Sequence, residues 1–258
     1  MLWEDPGVPH VVLVGVFLGV AGFAAGIIGT AGGITTLVTY PALLAVGIPP
    51  LAANVTNSVA VLGSGLSSAS RAAPDITGQG ATIRRWMPVS IGMSLAGAVL
   101  LVVTPGRVFG RVVPFLVAAG SLILLAQPRI RRWQEENEHA WGRGAVFGGL
   151  GGVSVYNGYF GAGSGILLIA LLLLTAEPVL HRANSIKNVL LVASDILPAV
   201  LFVIVGRVVW TAVIPLGTGT IAGGLIGPSI ARRVPHDILR ILIACMGFAL
   251  AIWLLIGS

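Results

Sequence analysis

Apolar positions in this chain come in long unbroken runs, not in the alternation of a half-buried strand or the three-to-four spacing of a surface helix. Between charge and proline punctuation, eight runs stand out: 10–47, 50–71, 84–104, 108–126, 144–176, 184–205, 208–231 and 237–256. About 20 residues of helix cross the roughly 30 Å of bilayer hydrocarbon, and runs of that order predict transmembrane helices whose backbone bonds are all internal. Two runs are too long for one crossing. As straight helices, 10–47 and 144–176 would reach about 57 Å and about 50 Å at about 1.5 Å per residue, so each must break, tilt hard or fold back. Each carries a glycine cluster near its centre: "GIIGTAGG" from Gly26 to Gly33, and "YNGYFGAGSG" from Tyr156 to Gly165.

The two clusters belong to an internal repeat. At an offset of about 130 residues, "GIIGTAGGITTL" matches "GYFGAGSGILLI", and "AANVTNSVAVL" matches "RANSIKNVLLV". The chain reads as two copies of one unit, 1–126 and 143–258, joined by a charged linker, 127–142, which is expected to be a solvated loop. Basic residues then choose the topology. If each overlong run crosses once, the 15 Lys and Arg split 7 against 8, which is no bias. If each crosses an even number of times, as a re-entrant hairpin or a split helix, only Arg107, Arg111 and Arg207 fall on the minority face, against 12 on the other. That arrangement puts both termini outside and the linker in the cytoplasm. It also makes an odd number of crossings per unit, so the repeats are inverted, an arrangement found in secondary transporters with interrupted helices. The expected fold is all-α and polytopic, with a glycine-broken helix followed by three transmembrane helices in each repeat.

Composition agrees with a bilayer protein: 56% of residues are hydrophobic and 9% charged, with a mean hydropathy of +0.97. The N-terminal "MLWEDPGVPH" lacks a basic n-region, so the first run is expected to be retained. The net charge of +6 comes mostly from arginines at segment ends, where topology signals fall, and not from a nucleic-acid-binding patch. The single cysteine, Cys245, is expected to pack between helices. No enzyme signature emerges. The serines of "GSG" and "GAGSG" have no histidine at a suitable depth, the four histidines (His10, His139, His181 and His236) fall at segment ends, and nothing has metal-ligand spacing. The reading is of no catalysis, no metal and no cofactor.

Where a helix stops and restarts, the new N-terminus offers unpaired N–H groups and the positive end of a dipole, which favour an anion. Gly29, Thr30, Ala31, Gly32 and Gly33 in the first cluster, and Gly161, Ala162, Gly163 and Ser164 in the second, are the candidate donors. Two polar patches at starts of apolar helices could complete the anion's hydrogen-bond shell: Thr56 and Asn57 in "NVTNS", Lys187 and Asn188 in "NSIKN". Lys187 is the chain's one lysine. Its competing role is an interfacial side chain that snorkels to water. Asp195, in "LLVASDILPAV", lies eight residues further on, about 80° around the helix and about 12 Å along it from Lys187, too far for a direct pair. An acid so placed should face a cavity or a partner, and proton carrier is its expected role.

The first broken segment, "PALLAVGIPPLAANVTNS", "GAGSGILLIALLLL…RANSIKNVLL" and "GRVVWTAVIPLGTGTIAGGLIGPSIARRVP" together resemble the TauE/SafE family of sulfite exporters and related permeases, over nearly the whole chain. The resemblance implies transport of small sulfur-containing or organic anions, such as sulfite, sulfonates or sulfoacetate, across a bacterial inner membrane, with no cofactor. By position it assigns glycine breaks to Gly29–Gly33 and Gly161–Gly165, and small-polar helix starts to Thr56-Asn57 and Lys187-Asn188. The expectation is a secondary transporter working by alternating access and coupled to protons. Its partners are a small anion and the lipid bilayer, with a homodimer as a candidate assembly and no nucleic acid. The alternatives are a cation-coupled carboxylate uptake carrier, or a membrane scaffold or sensor that transports nothing.

Overall fold

The computed structural model describes residues 8–32, 35–70, 76–136, 142–231 and 236–256, and all regular structure among them is helical. Ten helices follow in order: α1 (Val8–Gly32), α2 (Thr35–Ala45), α3 (Pro50–Ser70), α4 (Gly80–Val103), α5 (Gly106–Glu136), α6 (Arg143–Tyr159), α7 (Ser164–Thr175), α8 (Leu180–Val205), α9 (Trp210–Ala231) and α10 (His236–Ile256). The expected eight runs become ten helices because both overlong runs break, leaving α2 and α7 as short second helices in each half. Stretches of α1, α4, α5 and α8 are long and apolar enough to cross a membrane. Large apolar side chains such as Leu13, Phe115, Ile204 and Ile256 point outward, as expected of surfaces solvated by lipid.

The breaks follow from glycine chemistry. Gly29 lies against Thr35, so close that a Cβ on it would collide with the Thr35 hydroxyl. Residues six apart on a straight helix are separated by about 9 Å along the axis, so the chain has turned back between them. At the second break the N–H groups of Phe160 and Gly161 both donate to the Tyr156 carbonyl, at 2.9 and 3.0 Å, and end α6. Gly161 and Gly163 then take φ of +79° and +81°, a region where a Cβ costs roughly 1–2 kcal/mol, and α7 starts at Ser164. The ring of Tyr40 on α2 meets that of Phe160 edge-on at 5.3 Å, and Phe109 of α5 lies beside it. This aromatic group seats α2 against the second break.

The two halves interleave. Gly22 and Gly26 of α1 lie under the carbonyls of Leu216 and Thr220 on α9, while Gly219 and Gly223 of α9 lie under those of Gly19 and Phe23. Gly97 of α4 and Val155 of α6, and Gly158 of α6 and Ser94 of α4, meet in the same way. Bare glycine backbones let these helices approach more closely than side chains would permit. The contacting numbers rise together between α1 and α9, and also between α4 and α6, from Arg85 over the Phe147 ring through Met93 against Gly151 to Gly97 against Val155, so α1 runs parallel to α9 and α4 parallel to α6. α3 also runs parallel to α9, through Ala60 against Gly217, Gly63 against Ile221 and Ser67 against Gly224. At one end, the connection before α4 is clamped to the turn before α8. Gln79 donates to buried Glu177, Arg182 lies 3.6 Å from the same carboxylate, and Arg182 donates to the Thr77 carbonyl at 2.9 Å.

Two expectations change. The first part of the charged linker is no loop: α5 continues through Pro128 to Glu136, while 137–141 lie outside the described residues. Cys245 on α10 is exposed, facing outward and not packed between helices.

Candidate functional site

Between α3, α8 and the two breaks lies a polar cavity of about 100 Å³. Its walls come from both halves of the chain. Gly26 and Gly29 of α1, Thr35 and Thr36 of α2, and Asn57, Ser58, Ser64 and Ser68 of α3 line one side. Asn157 of α6, Gly161 in the break, Ser164 of α7, and Lys187, Asn188 and Asp195 of α8 line the other. The α3 contributions at 57, 61, 64 and 68 and the α8 contributions at 187, 191 and 195 recur every three or four residues, so each helix presents one continuous stripe.

Seven residues singled out from the sequence therefore meet in one place: Gly29, Asn57, Gly161, Ser164, Lys187, Asn188 and Asp195. Others do not. Thr56 is fully buried and turned away from the cavity; its hydroxyl accepts a hydrogen bond from the Val209 N–H at 3.0 Å and ties α3 to the start of α9. One residue of helical rotation, about 100°, separates it from Asn57, which explains why neighbours in "NVTNS" face different surroundings. Ala162 is buried outside the lining, with its carbonyl taken by the Tyr156 hydroxyl at 2.6 Å. Gly163 backs onto Gly120 of α5. Gly33 lies outside the described residues, as do the side-chain surroundings of Thr30, Ala31 and Gly32 at the end of α1.

The donors differ in availability. Several N–H groups of the second break are used internally: Phe160 and Gly161 on the Tyr156 carbonyl, Ser164 on that of Gly161, Ile166 and Leu167 on that of Gly163. Side chains contribute most of the polar wall. Asn57 occupies both ends of its amide within its own half, accepting from the Thr39 hydroxyl at 2.5 Å and donating to Thr36 at 3.2 Å. In the repeat alignment Lys187 stands where Asn57 does, and the positions matching Thr36 and Thr39 are Leu168 and Leu171, which offer no hydrogen bond. Lys187 is 1% exposed, lines the cavity, and makes no ion pair among the described residues. This placement is unlike that of a snorkelling side chain. Asp195, half-buried, accepts from the Asn157 amide at 2.6 Å, and no direct pair joins it to Lys187.

Asn157 is the main residue that sequence reasoning passed over. It sits inside the quoted "YNGYFGAGSG", and an amide in an otherwise apolar run was the available signal. Ser58, Thr35, Thr36, Ser64 and Ser68 were missed because a lone hydroxyl within a helix is ordinarily satisfied by its own backbone, as Ser64 is by the Val61 carbonyl at 2.8 Å. No group of three or more His, Cys, Asp or Glu residues gathers among the described residues in a way that could hold a metal.

Comparison with known proteins bears on the same chain. A family model described as "Sulfite exporter TauE/SafE" matches residues 12–254. The "Probable membrane transporter protein ORF9" of Sinorhizobium sp is 30% identical over 247 residues, covering 93% of this chain and 91% of that protein. A "Probable membrane transporter protein" of Haemophilus influenzae is 27% identical over 88% of this chain and 89% of its own length. The "Probable membrane transporter protein YfcA" of Escherichia coli K12 is 26% identical over 95% and 91% respectively. No solved structure matches.

Proposed function

Because the chain belongs to the TauE/SafE family of membrane transporters, we propose that it carries a small oxyanion of the sulfite or sulfonate type through the cavity beside Lys187. Transport is by alternating access, with proton coupling at Asp195. The observation that carries this reading is Lys187: a buried ammonium on a polar cavity that makes no salt bridge among the described residues, Asp195 of the same wall included. A cation in a membrane interior is costly unless something compensates it, and a bound anion would do so. The amide of Asn188 can donate to oxyanion lone pairs, and the hydroxyls of Ser58, Ser64 and Ser68, now donated to the carbonyls of Asn54, Val61 and Ser64, would add donors only by turning from those carbonyls to the anion. Size favours a small substrate. A water needs about 10–15 Å³ by this measure, so about 100 Å³ holds an oxyanion with a few waters, well below the roughly 300–1,000 Å³ of sites for larger ligands.

The helix directions support inverted repeats. α1, α3 and α9 run one way. Leu101 and Val102 at the end of α4 lie beside Leu51 and Val55 at the start of α3, so α4 runs against α3, and α6 follows α4. Matching helices α1 and α6 therefore run oppositely. Arg84, Arg85, Arg143 and Arg182 collect where α4, α6 and α8 begin, and Arg107, Arg111 and Arg207 at the opposite end. On the positive-inside rule the first group is cytoplasmic in a bacterial inner membrane, with both termini outside.

The test is flux. Purified protein in liposomes loaded with sulfite or a sulfonate should show saturable exchange. Lys187→Gln should weaken anion affinity about 10- to 100-fold, the scale of losing a hydrogen bond to a charged group. Saturable uptake of carboxylates alone, driven by a cation gradient, would favour the carboxylate carrier, and no flux for any anion in a panel would favour a scaffold or sensor.

A further inference from the structure

Four groups form a continuous chain from α8 through both sides of the second break. Asp195 Oδ1 accepts from Asn157 Nδ2 at 2.6 Å. At the other end of the same amide, Asn157 Oδ1 lies 2.6 Å from Ser164 Oγ, the first residue of α7. Ser164 Oγ also lies 2.8 Å from the Gly161 carbonyl, inside the break, so its one proton serves two acceptors. Ser94 of α4 reaches the Asn157 amide at 3.5 Å. The corresponding places in the first half, Ala25 for Asn157 and Gly65 for Asp195, carry no polar side chain, so this connection exists on one side of the molecule alone.

We propose that Asn157 is a positioning residue that transmits the charge state of Asp195 to the geometry of the α6–α7 break. The proposal rests on the reading of Asp195 as the proton-coupling acid. While Asp195 is a carboxylate, its charge-assisted bond holds the amide with Nδ2 toward α8, which leaves Oδ1 to accept the Ser164 proton. When one carboxylate oxygen takes up a proton from water in the cavity, the bond loses its charge assistance and roughly half its strength. The Ser164 proton then turns to the Gly161 carbonyl, the break closes on itself, and α8 is released from it. Few other charges face Asp195. Lys187 lines the same cavity from α8, α6 contributes Tyr156, Tyr159 and the initial Arg143, α4 only Arg84 and Arg85 in its first turns, and α3 and α7 no titratable group.

The experiment measures flux of an alkanesulfonate, whose single negative charge is the same at acid and at neutral pH, into proteoliposomes at those two pH values, for the wild type, Asp195→Asn, Asn157→Ala and Ser164→Ala. All three variants should bring the ratio of the two fluxes to unity, whereas the wild-type ratio departs from it. Ser164→Thr, which returns a hydroxyl, should restore the wild-type ratio. A residue serving packing alone would lower flux by the same factor at both pH values, and that result for Asn157→Ala and Ser164→Ala would overturn the proposal. Should Asn157→Ala fail to insert, Ser164→Ala decides the matter, because it removes one hydroxyl and leaves the Asn157–Asp195 bond in place. If Asp195→Asn also keeps the wild-type ratio, the assignment of Asp195 as proton carrier falls, and the proposal with it. If Asp195→Asn flattens the profile and the other two do not, only the link through Asn157 falls.

Discussion

Asn57 and Lys187 hold matching positions in the repeat, and the helix beside each determines what it can do. Threonines on α2 occupy both ends of the Asn57 amide; leucines at the matching places on α7 leave the Lys187 ammonium to the cavity. Asn57→Ala is therefore expected to act on stability first. It removes the bonds to Thr39 and Thr36, while the Thr39 hydroxyl keeps the Thr35 carbonyl at 3.0 Å, so the loss is about 0.5–1.5 kcal/mol per bond, which thermal unfolding in detergent would detect as a lowered Tm. Asn188→Ala removes a half-buried amide that lines the cavity. Its effect should fall on anion affinity, with Tm nearly unchanged, and a titration of sulfite binding checks it. An Asn57→Ala variant with wild-type Tm would mean that the Thr36 and Thr39 contacts contribute nothing.

At the scale of helices, glycine has three distinct jobs that its letter does not distinguish. Gly26 and Gly158 admit another helix's backbone, and a Cβ on either would collide with the carbonyl of Thr220 or Ser94. Alanine there should overpack the α1–α9 or α4–α6 contact and cost about 1–3 kcal/mol. Gly163 is held at φ +81°, so Gly163→Ala should cost roughly 1–2 kcal/mol through backbone strain, whatever the ligand does. Gly92 and Gly148 meet nothing within 4 Å and sit inside helices, where alanine should be neutral or stabilising by about 0.5–1 kcal/mol. Melting curves of these five variants should separate into that order. A Gly26→Ala protein as stable as Gly92→Ala would show that the close approach of α1 to α9 is not required.

For the molecule as a whole, the parallel pairing of α1 with α9 and of α4 with α6 predicts which connections share a face. Single cysteines replacing Thr77 and Gly142, in a Cys245→Ser background, should react with an impermeant thiol reagent from the cytoplasmic side. Those replacing Pro105 and Arg207 should react from the opposite side. All four positions are exposed. Labelling of Thr77→Cys and Arg207→Cys from the same side would sink the inverted arrangement, and with it the meeting of two broken helices from opposite faces.

How much of this was legible beforehand follows from the range of the forces involved. The bilayer class, the helices and the two breaks are written in local composition, because lipid demands internally bonded backbone and glycine marks where that backbone may turn. Lys187, Asn188 and Asp195 were likewise visible as polar side chains with no place in hydrocarbon. Tertiary structure alone determined which way each neighbour faced. Helical rotation sends Thr56 to the Val209 backbone and Asn57 toward the cavity, although they are adjacent in sequence. It also placed Asn157 of α6 against Asp195, 38 residues away, and placed α1 on α9 across almost the whole chain. A hydrogen bond depends on a distance of about 3 Å, and no periodicity in one segment specifies which distant segment will come that close.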